Sequence, residues 1–322
     1  MGQTIIPLSI VIPTMNRHKS VVDAVQSLCA GSCIPSQIIV IDQSPKVISI
    51  NSFKIPRGVR LEVLHLTTAS TTLARNIGIA KVKEEFILFC DDDILVDENS
   101  LERTYARIIE KQIALVAGIH DKANVNYSGL QNRNLLKDIF ATILGMKQFW
   151  RTDGYVIKYN MRGRYATGIK KCTNTDWAMG YYFCIKKSIL DKMDHYFDEH
   201  LIRYAYSEDL DFTIRYCSIA KKNGLKTIVD PEIYVIHLVS NEWRVPKQEG
   251  VDYAFVNRRY LSWKLYPNRW DYRLLMGIMD RLYLLTQIKN KDYANEIRSA
   301  LKLCRDNKRS IRSGEIANLR KE

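Results

Sequence analysis

Three consecutive carboxylates, Asp91, Asp92 and Asp93, directly follow the apolar run FILFC. Adjacent carboxylates repel one another, so such a triplet needs either screening by water or a positive charge beside it. Two carboxylates that flank one residue can hold a hard divalent cation through oxygen ligands, and the cation would cancel the repulsion. Aspartate is also a favoured cap ahead of a helix such as the one that ENSL would begin. The triplet alone therefore leaves a metal site and an ordinary acidic turn both open.

Glu208 and Asp209 form a second acidic group, within the stretch YSEDLDFTIRY. Ser207 is a candidate N-cap, and carboxylates in the first helical turn are favoured by the helix dipole whatever their function. A carboxylate fixed at a helix start and facing a crevice can also accept a proton from an attacking hydroxyl. One of the two acids is therefore a candidate general base.

His237 stands in the apolar run IYVIHLV. A single histidine among apolar residues is usually a core or strand-end residue. Neutral imidazole is also a ligand that suits Mn²⁺ alongside carboxylates. By itself, His237 does not distinguish the two roles.

Short apolar runs rich in β-branched residues predict the strands that position these groups. The predicted strands are Leu8–Pro13, Gln37–Asp42, Arg60–Leu66, Glu85–Asp91 and Ile113–Gly118, and the helical patterns between them are His18–Ala30, Thr71–Val82 and Glu98–Lys111. This alternation predicts an α/β fold with a mainly parallel sheet flanked by helices. Ligands of such a sheet collect beyond the carboxyl ends of its strands, where PTMNR, DQS and DDD stand. We expect these three clusters to line one crevice.

The second half of the chain is less regular at first. The stretch from His120 to Thr175 is polar and aromatic, with one amphipathic piece, LLKDIFATILGMKQFW. The helix SEDLDFTIRYCSIAKKNG and the strands KTIVD and IYVIHLV follow it. After about residue 241, the pattern predicts helices rich in arginine, lysine, tyrosine and tryptophan.

Charge and cysteine content narrow the class of partner and the compartment. The 322 residues include 48 Lys and Arg against 35 Asp and Glu, a formal net charge of +13, which predicts an anionic partner such as nucleic acid, an acidic membrane surface or a phosphate-rich substrate. The 7 cysteines form no CxxC pair or zinc-type cluster, as expected of reduced thiols in a cytoplasmic protein. The first residues lack a signal pattern, and no apolar run approaches the ~20 residues that span a bilayer. We expect a cytoplasmic protein, either soluble or peripheral at the membrane.

Seven motifs in a fixed order give the sequence a family resemblance. They are SIVIPTMNR, IIVIDQS, LARNIGIA, FILFCDDD, WAMGYYFCIKKSIL, SEDLDFTIRY and VIHL. In this order and spacing the chain resembles a family 2 glycosyltransferase of the GT-A type, a Rossmann-like nucleotide-diphospho-sugar transferase fold, over roughly Leu8 to Val239. The resemblance implies a catalytic domain at 1–240, with a nucleotide-sugar-binding half at 1–118 and an acceptor half at 119–240. A basic, aromatic-rich helical extension would occupy 241–322.

The resemblance also implies roles for individual residues on the donor side. Those residues are Pro13, Thr14 and Arg17 beside the nucleotide base, Asp42 at the base or ribose, Arg75, Asn76 and Asp92 near the donor, and Gly180 between donor sugar and acceptor. Asp91 and Asp93 would be the two acids of the Asp-x-Asp motif that binds Mn²⁺ or Mg²⁺. His237 would join that metal site near the diphosphate.

Catalysis would follow from the second acidic group. Asp209 matches the general base of an inverting transferase, and Glu208 would support it or contact the acceptor. The implied donor is a nucleotide sugar, with UDP as the default. The implied acceptor is a glycan or a lipid-linked saccharide. Gln43 stands where the family commonly has a second acid, which leaves the donor sugar open.

Two alternatives remain at this point. A sugar nucleotidyltransferase would need a glycine-rich phosphate loop where this chain has PTMNRHKS, so that enzyme is disfavoured. A non-enzymatic protein that binds nucleic acid or an anionic membrane would use basic and aromatic stretches such as VNRRYLSWKLYPNRWDYR. Of these partners we expect an anionic membrane rather than nucleic acid. The sequence does not give the oligomeric state.

Overall fold

A computed structural model describes residues 2–120, 151–203, 205–238 and 246–320. The amphipathic piece predicted near residues 135–150 lies outside these ranges. The strands are β1 (Thr4–Thr14), β2 (Cys33–Asp42), β3 (Arg60–His65), β4 (Phe86–Cys90), β5 (Ile94–Val96), β6 (Ile113–His120), β7 (Tyr155–Ile157), β8 (Arg162–Arg164), β9 (Thr173–Asn174), β10 (Tyr182–Lys186) and β11 (Lys226–His237). The helices are α1 (His18–Leu28), α2 (Thr71–Lys81), α3 (Ser100–Ile108), α4 (Lys187–Leu190), α5 (Glu208–Lys222), α6 (Lys247–Leu265), α7 (Trp270–Thr286), α8 (Lys291–Asp306) and α9 (Lys308–Ser313), with short 3-10 turns at Ile50–Ser52 and Ala317–Arg320.

One large sheet organises the first 238 residues. Its strand order is β3-β2-β1-β4-β10-β6-β11-β5, and β9 pairs with β11. Neighbours β1, β2, β3 and β4 run parallel, as do β6 and β11, whereas β10, β5 and β9 run antiparallel to their partners. The mainly parallel α/β fold predicted from the sequence is confirmed. Strands β7 and β8 form a separate antiparallel hairpin.

Apolar burial explains why these segments form the centre of the fold. Val11 and Ile41, on β1 and β2, are fully buried. Helix α2 packs close to these strands because Gly78 has no side chain, and a Cβ atom there would overlap the Val11 side chain. The helix begins after Ser70, whose hydroxyl accepts a hydrogen bond from the Leu73 amide at 3.3 Å. Arg75 is thereby held in the first turns of a helix that is fixed against the sheet.

Three local predictions need correction. The helix predicted at Glu98–Lys111 begins at Ser100 and ends at Ile108, and a short strand that was not predicted, β5, lies between the acidic triplet and this helix. The two strands KTIVD and IYVIHLV are one strand, β11, whose register with β6 shifts between Val229 and Tyr234. Pro231 explains the shift, since it has no backbone N–H to donate to the ladder. Ser207 does not cap α5 through its side chain; its backbone is left-handed, with φ 70°.

The C-terminal helices are tied to one another and to the sheet domain by buried charges. Asp280 on α7 accepts hydrogen bonds from Arg258 at 2.9 Å and from Arg259 at 2.7 Å, both on α6. Asp198, which precedes α5, accepts from Lys264 Nζ at 2.6 Å. None of the helices in the described ranges is long and apolar enough to cross a membrane.

Candidate active site

A cavity of about 850 Å³ opens beyond the carboxyl ends of β1 and β4. Most of the residues that the sequence singled out line it: Pro13, Thr14, Arg17, Arg75, Asp91, Asp92, Gly180, Glu208, Asp209 and His237. Its other walls come from β8, from the segment that precedes α5 and from α6. The topology thus brings the first acidic group, the second acidic group and the histidine to one place.

The central acid of the triplet is bound within the protein. Asp92 is buried and accepts hydrogen bonds from Thr14 Oγ1 at 2.7 Å and from Arg17 Nη1 at 2.9 Å. Burial raises the pKa of Asp92 to about 6, although the Arg17 guanidinium and the Thr14 hydroxyl act to lower it. Asp92 therefore holds the end of β1 against the end of β4.

Asp91, Asp93 and His237 form a candidate metal site. One ligand atom from each lies within 4.8 Å of the other two. The Nε2 atom of His237 is 3.2 Å from Asp93 Oδ1 and 3.9 Å from Asp91 Oδ2. Tyr181 stacks on the His237 ring, with 5.3 Å between the ring centroids. Two carboxylates and one imidazole form a donor set that suits Mn²⁺, and carboxylates also suit Mg²⁺.

Arg75 connects the two acidic groups. Its side chain is buried; Nη2 donates to Asp91 Oδ1 at 3.0 Å and to the Gly180 carbonyl at 3.1 Å, and Nη1 donates to Glu208 Oε1. The guanidinium also lies over the Phe197 ring, 5.3 Å from its centroid. One fixed cation thus sets the position of an acid from β4 relative to an acid from α5.

Asp209 and Glu208 have different surroundings. Asp209 accepts hydrogen bonds from two backbone amides, Gly180 N at 2.9 Å and Leu210 N at 2.7 Å. Burial raises its pKa above the ordinary value. Glu208 is more deeply buried, and burial raises its pKa to about 8 despite the Arg75 guanidinium. A carboxylate whose proton affinity is raised is a better general base, and Asp209 has this property together with a fixed orientation.

Asp42, Asn76 and Asp93 do not line the cavity. The carboxylate of Asp42 closes its own turn, accepting from Ser44 N at 2.9 Å and from Ile48 N at 2.7 Å. Asn76 pairs with the backbone of Phe197, through one donor and one acceptor contact of 2.9 Å each. Asp93 is buried, with Oδ1 3.2 Å from His237 Nε2. The side chains of Asp42 and Asn76 are therefore held by other groups of the protein, and their contacts with a donor remain predictions.

Sequence reasoning missed several residues of the cavity wall. Arg162 and Arg164 of β8 line it, as do Glu249 and Arg258 of α6. The first two belong to the polar stretch between His120 and Thr175, where no periodic pattern pointed to an element. The alternation Arg-Gly-Arg at 162–164 was the available signal.

Comparison with known proteins identifies the family. The family model described as Glycosyl transferase family 2 matches residues 9–193, more than half of the 322-residue chain. The chain belongs to glycosyl transferase family 2. The expectation of a family 2 glycosyltransferase is confirmed, and the non-enzymatic alternative is set aside. The match ends before Glu208, Asp209 and His237, so it does not extend to their roles.

Two curated glycosyltransferases are related to this family 2 member. Glycosyltransferase GlyG of Streptococcus pneumoniae serotype 4 (strain ATCC BAA-334 / TIGR4) is 30% identical over 117 residues, which are 34% of this chain and 38% of GlyG. TarP of Staphylococcus aureus (strain N315), a poly(ribitol-phosphate) beta-N-acetylglucosaminyltransferase, is 26% identical over 262 residues, 79% of this chain and 71% of TarP. The chain thus spans little more than a third of GlyG but most of TarP.

A solved structure supports the fold. The crystal structure of GalNAc-T7 with UDP, GalNAc and Mn²⁺ superimposes with a TM-score of 0.54 at 15% sequence identity, covering 84% of this chain and 53% of that chain. This likeness confirms the GT-A fold for the family 2 enzyme.

Proposed function

We propose that this glycosyltransferase is metal-dependent and inverting, and that it transfers a sugar from a nucleoside-diphosphate sugar to a hydroxyl group of its acceptor. The observation that carries the proposal is that Asp91 and His237, which form a candidate metal cluster with the buried Asp93, line the same cavity as the oriented carboxylate of Asp209. UDP is the default nucleotide, on the family resemblance. A divalent cation held by the cluster would act as a Lewis acid that stabilises negative charge on the departing diphosphate.

The protein residues supply the remaining steps. Asp209 accepts the proton of the acceptor hydroxyl, and the oxygen of that hydroxyl attacks the anomeric carbon on the face opposite the diphosphate, whose bond to that carbon breaks. A single displacement of this kind inverts the anomeric configuration. Gly180 N holds Asp209 in its orientation, and Arg75 holds Glu208 beside it. Arg75 also contacts Asp91 and the carbonyl of Gly180, so the segments that carry Glu208, Asp209 and the metal-binding acid are held together at one point.

The acceptor belongs to a broad class. We propose a hydroxyl of a glycan, of a lipid-linked saccharide or of a cell-wall polymer, as part of polysaccharide or glycoconjugate synthesis. The name of TarP specifies a poly(ribitol-phosphate) acceptor, a polymer that carries both hydroxyl and phosphate groups. The relationship to TarP, at 26% identity, supports this class rather than one compound.

The C-terminal helices add a proposed partner, the anionic face of a cytoplasmic membrane. Helix α7 exposes Trp270, Leu274, Ile278 and Leu285, which fall within about 80° of its circumference at 100° per residue. An exposed apolar helix face in a chain of net charge +13 fits an interfacial contact with acidic lipid headgroups.

Nucleotide-dependent thermal stability tests the donor proposal. The purified protein would be melted with UDP, GDP, TDP or CMP, each in the presence of Mn²⁺ and again with EDTA. A ligand that binds only the folded state raises the free energy of unfolding, by about 2.7 kcal/mol at a hundredfold excess over Kd, and so raises the melting midpoint. We expect one diphosphate, UDP by default, to stabilise the protein with Mn²⁺ and much less with EDTA. Stabilisation that is the same with Mn²⁺ and EDTA would refute the metal dependence.

A further inference from the structure

Arg162 and Arg164 place two cations on one face of β8. Residues two apart on a strand point to the same side, and both arginines line the cavity. Gly163 between them faces the other way, where a Cβ atom would meet the Trp177 ring. Trp177 in turn donates its indole N–H to the Arg164 carbonyl at 3.0 Å. The hairpin is therefore fixed, and with it the direction of both side chains.

The other arginines of the cavity are neutralised by carboxylates. Arg75 binds Glu208 and Asp91, Arg17 binds Asp92, Arg203 lies 3.1 Å from Glu249, and Arg258 lies 2.9 Å from Asp280. Each of these four arginines therefore has at least one carboxylate within ion-pair distance. Arg162 and Arg164 make no ion pair with any residue of the described ranges.

Arg164 is the more exceptional of the two. Its Nε and Nη2 atoms are buried, and neither has a hydrogen-bond partner among the described residues. Buried donors of a charged group without an acceptor are costly, and proteins rarely keep them without a ligand. Burial lowers the pKa of Arg164, and burial together with the nearby Arg258 lowers the pKa of Arg162 to about 10. Both guanidiniums would gain from an anion placed between them.

Their position assigns them to the acceptor side of the cavity. The guanidinium of Arg162 lies over the Tyr283 ring of α7, 5.1 Å from its centroid. Both arginines lie close enough to Tyr206 to interact with it electrostatically, and Tyr206 is three residues before Asp209. The metal cluster and Arg17, by contrast, stand at the ends of β1, β4 and β11.

We propose that Arg162 and Arg164 bind a phosphate group of the acceptor. A guanidinium presents paired N–H donors that match two phosphate oxygens, which an ammonium group does not. The proposal rests on the proposed function, because it takes Asp209 as the base that defines the acceptor side. It names the chemistry of the acceptor: a hydroxyl compound that also carries phosphate.

Calorimetric titration of sn-glycerol 3-phosphate into the protein saturated with UDP and Mn²⁺ tests the proposal. With the donor subsite filled, we expect binding by the unaltered protein and a loss of about tenfold or more in affinity in the double variant Arg162→Met, Arg164→Met. The double variant Arg162→Lys, Arg164→Lys should recover only part of it, since lysine keeps the charge but not the paired donors. Arg305→Met removes an exposed arginine of α8 and should bind like the unaltered protein.

Several outcomes would overturn the proposal. Competition between glycerol phosphate and UDP would assign the arginines to the donor diphosphate. Tighter binding of glycerate than of glycerol phosphate would favour a carboxylate as the ligand. An affinity for glycerol phosphate that is equal in the methionine variant and the unaltered protein would show that the arginines do not bind it. UDP binding is measured in each protein beforehand, to separate the proposed donor from the proposed phosphate site. If the unaltered protein does not bind UDP, the donor assignment is refuted. If it binds UDP but not glycerol phosphate, only the phosphate site is refuted.

Thermal melting of Arg164→Met in the absence of ligand gives a second readout. A cation that serves the ligand is unsatisfied in the free protein, so its replacement by an apolar side chain of similar length should leave the midpoint unchanged or raise it. A purely structural arginine would instead make the variant less stable. A lowered midpoint, with glycerol phosphate binding retained, would contradict a role in binding.

Discussion

Asp91, Asp92 and Asp93 have the same side chain but three different surroundings. Asp92 is neutralised by Arg17 and held by Thr14, Asp91 contacts Arg75, and Asp93 approaches His237. Two arginines of the protein therefore relieve much of the repulsion that three adjacent carboxylates create. The two outer acids keep oxygen atoms near His237, which is what a bound cation would require.

Asp209→Asn should abolish sugar transfer while leaving nucleotide binding nearly unchanged. The asparagine oxygen can still accept the Gly180 amide, but the side chain cannot take a proton from the acceptor. General base catalysis contributes about 10² to 10⁴-fold in rate, so we expect a loss of kcat of that order and a UDP affinity within about twofold. Product formation from the labelled donor and UDP titration measure the two quantities. The exposed Asp191→Asn is the matched control, and turnover retained in Asp209→Asn would refute the assignment of the base.

The sequence predicted which residues belong to the site better than it predicted the hydrogen-bond partners of those residues. The motifs located Asp91, Asp209 and His237, and the fold brings all three to the cavity. The hydrogen bonds that occupy Asp42 and Asn76 depend on turns and on a distant segment, Phe197, which no local pattern reveals. Arg162 was missed because its stretch of the sequence has no periodic pattern and its place in the cavity wall depends on the pairing of β7 with β8.

At the scale of elements, strand prediction succeeded where burial is continuous. Every residue of the predicted strand Leu8–Pro13 lies within β1, and most of it is fully buried. The prediction divided β11 at Pro231, since proline normally ends a ladder strand. In the structure the sheet bridges that point by a register shift, because residues on both sides pair with β6. Tertiary pairing, which sequence does not display, decided the outcome.

Helix α7 carries the prediction for membrane contact. Trp270 is 71%, Leu274 56% and Leu285 60% exposed on one face. Replacing Leu274 and Leu285 by Glu should reduce binding to anionic vesicles about tenfold or more, through lost apolar burial and added repulsion. Co-sedimentation with phosphatidylglycerol vesicles at low and high salt measures the effect.

The matched control for α7 is a substitution elsewhere on the extension. Lys302→Glu and Arg305→Glu change two exposed charges on α8 without touching the apolar face. We expect this variant to lose less affinity than the α7 variant. Equal losses would show that charge alone drives the association, and vesicle binding that survives in the α7 variant would refute the proposed face.

At the scale of the whole molecule, Asp198 joins the sheet domain to the C-terminal helices. It accepts hydrogen bonds from Tyr260 Oη and Lys264 Nζ of α6, each at 2.6 Å. Burial alone would raise the pKa of Asp198, but the Lys264 ammonium and these hydrogen bonds hold it well below its usual range. The helical extension is thereby part of the folded catalytic unit and contributes Glu249 and Arg258 to its cavity.

Asp198→Asn should destabilise the protein at neutral pH and somewhat less in acid. Removing one partner of a buried pair costs about 3–5 kcal/mol. Because the pKa of Asp198 in the folded state is well below its usual range, its stabilisation is complete above the unfolded value of about 3.9 and is lost only gradually as the pH falls from there toward the folded-state value. Urea unfolding at pH 7 and near pH 3 measures the change, with the exposed Asp194→Asn as control. We expect a smaller difference between Asp198→Asn and the unaltered protein at pH 3 than at pH 7, and a difference of equal size at both pH values would contradict this origin.

The position of β10 has a consequence for recombination between relatives. This strand, from the part of the sequence predicted to be the acceptor half, lies between β4 and β6 and pairs with both. β4 and most of β6 belong to the predicted donor half, so the predicted boundary near residue 118 does not correspond to a boundary in the sheet. In a chimaera that takes residues 1–118 from one enzyme and the rest from another, β10 would come from the second enzyme. Its side chains would have to fit both β4 and β6 of the first enzyme. Exchange of the β7–β8 hairpin, which pairs only with itself in the described sheets, avoids that demand and alters the cavity wall that bears Arg162 and Arg164.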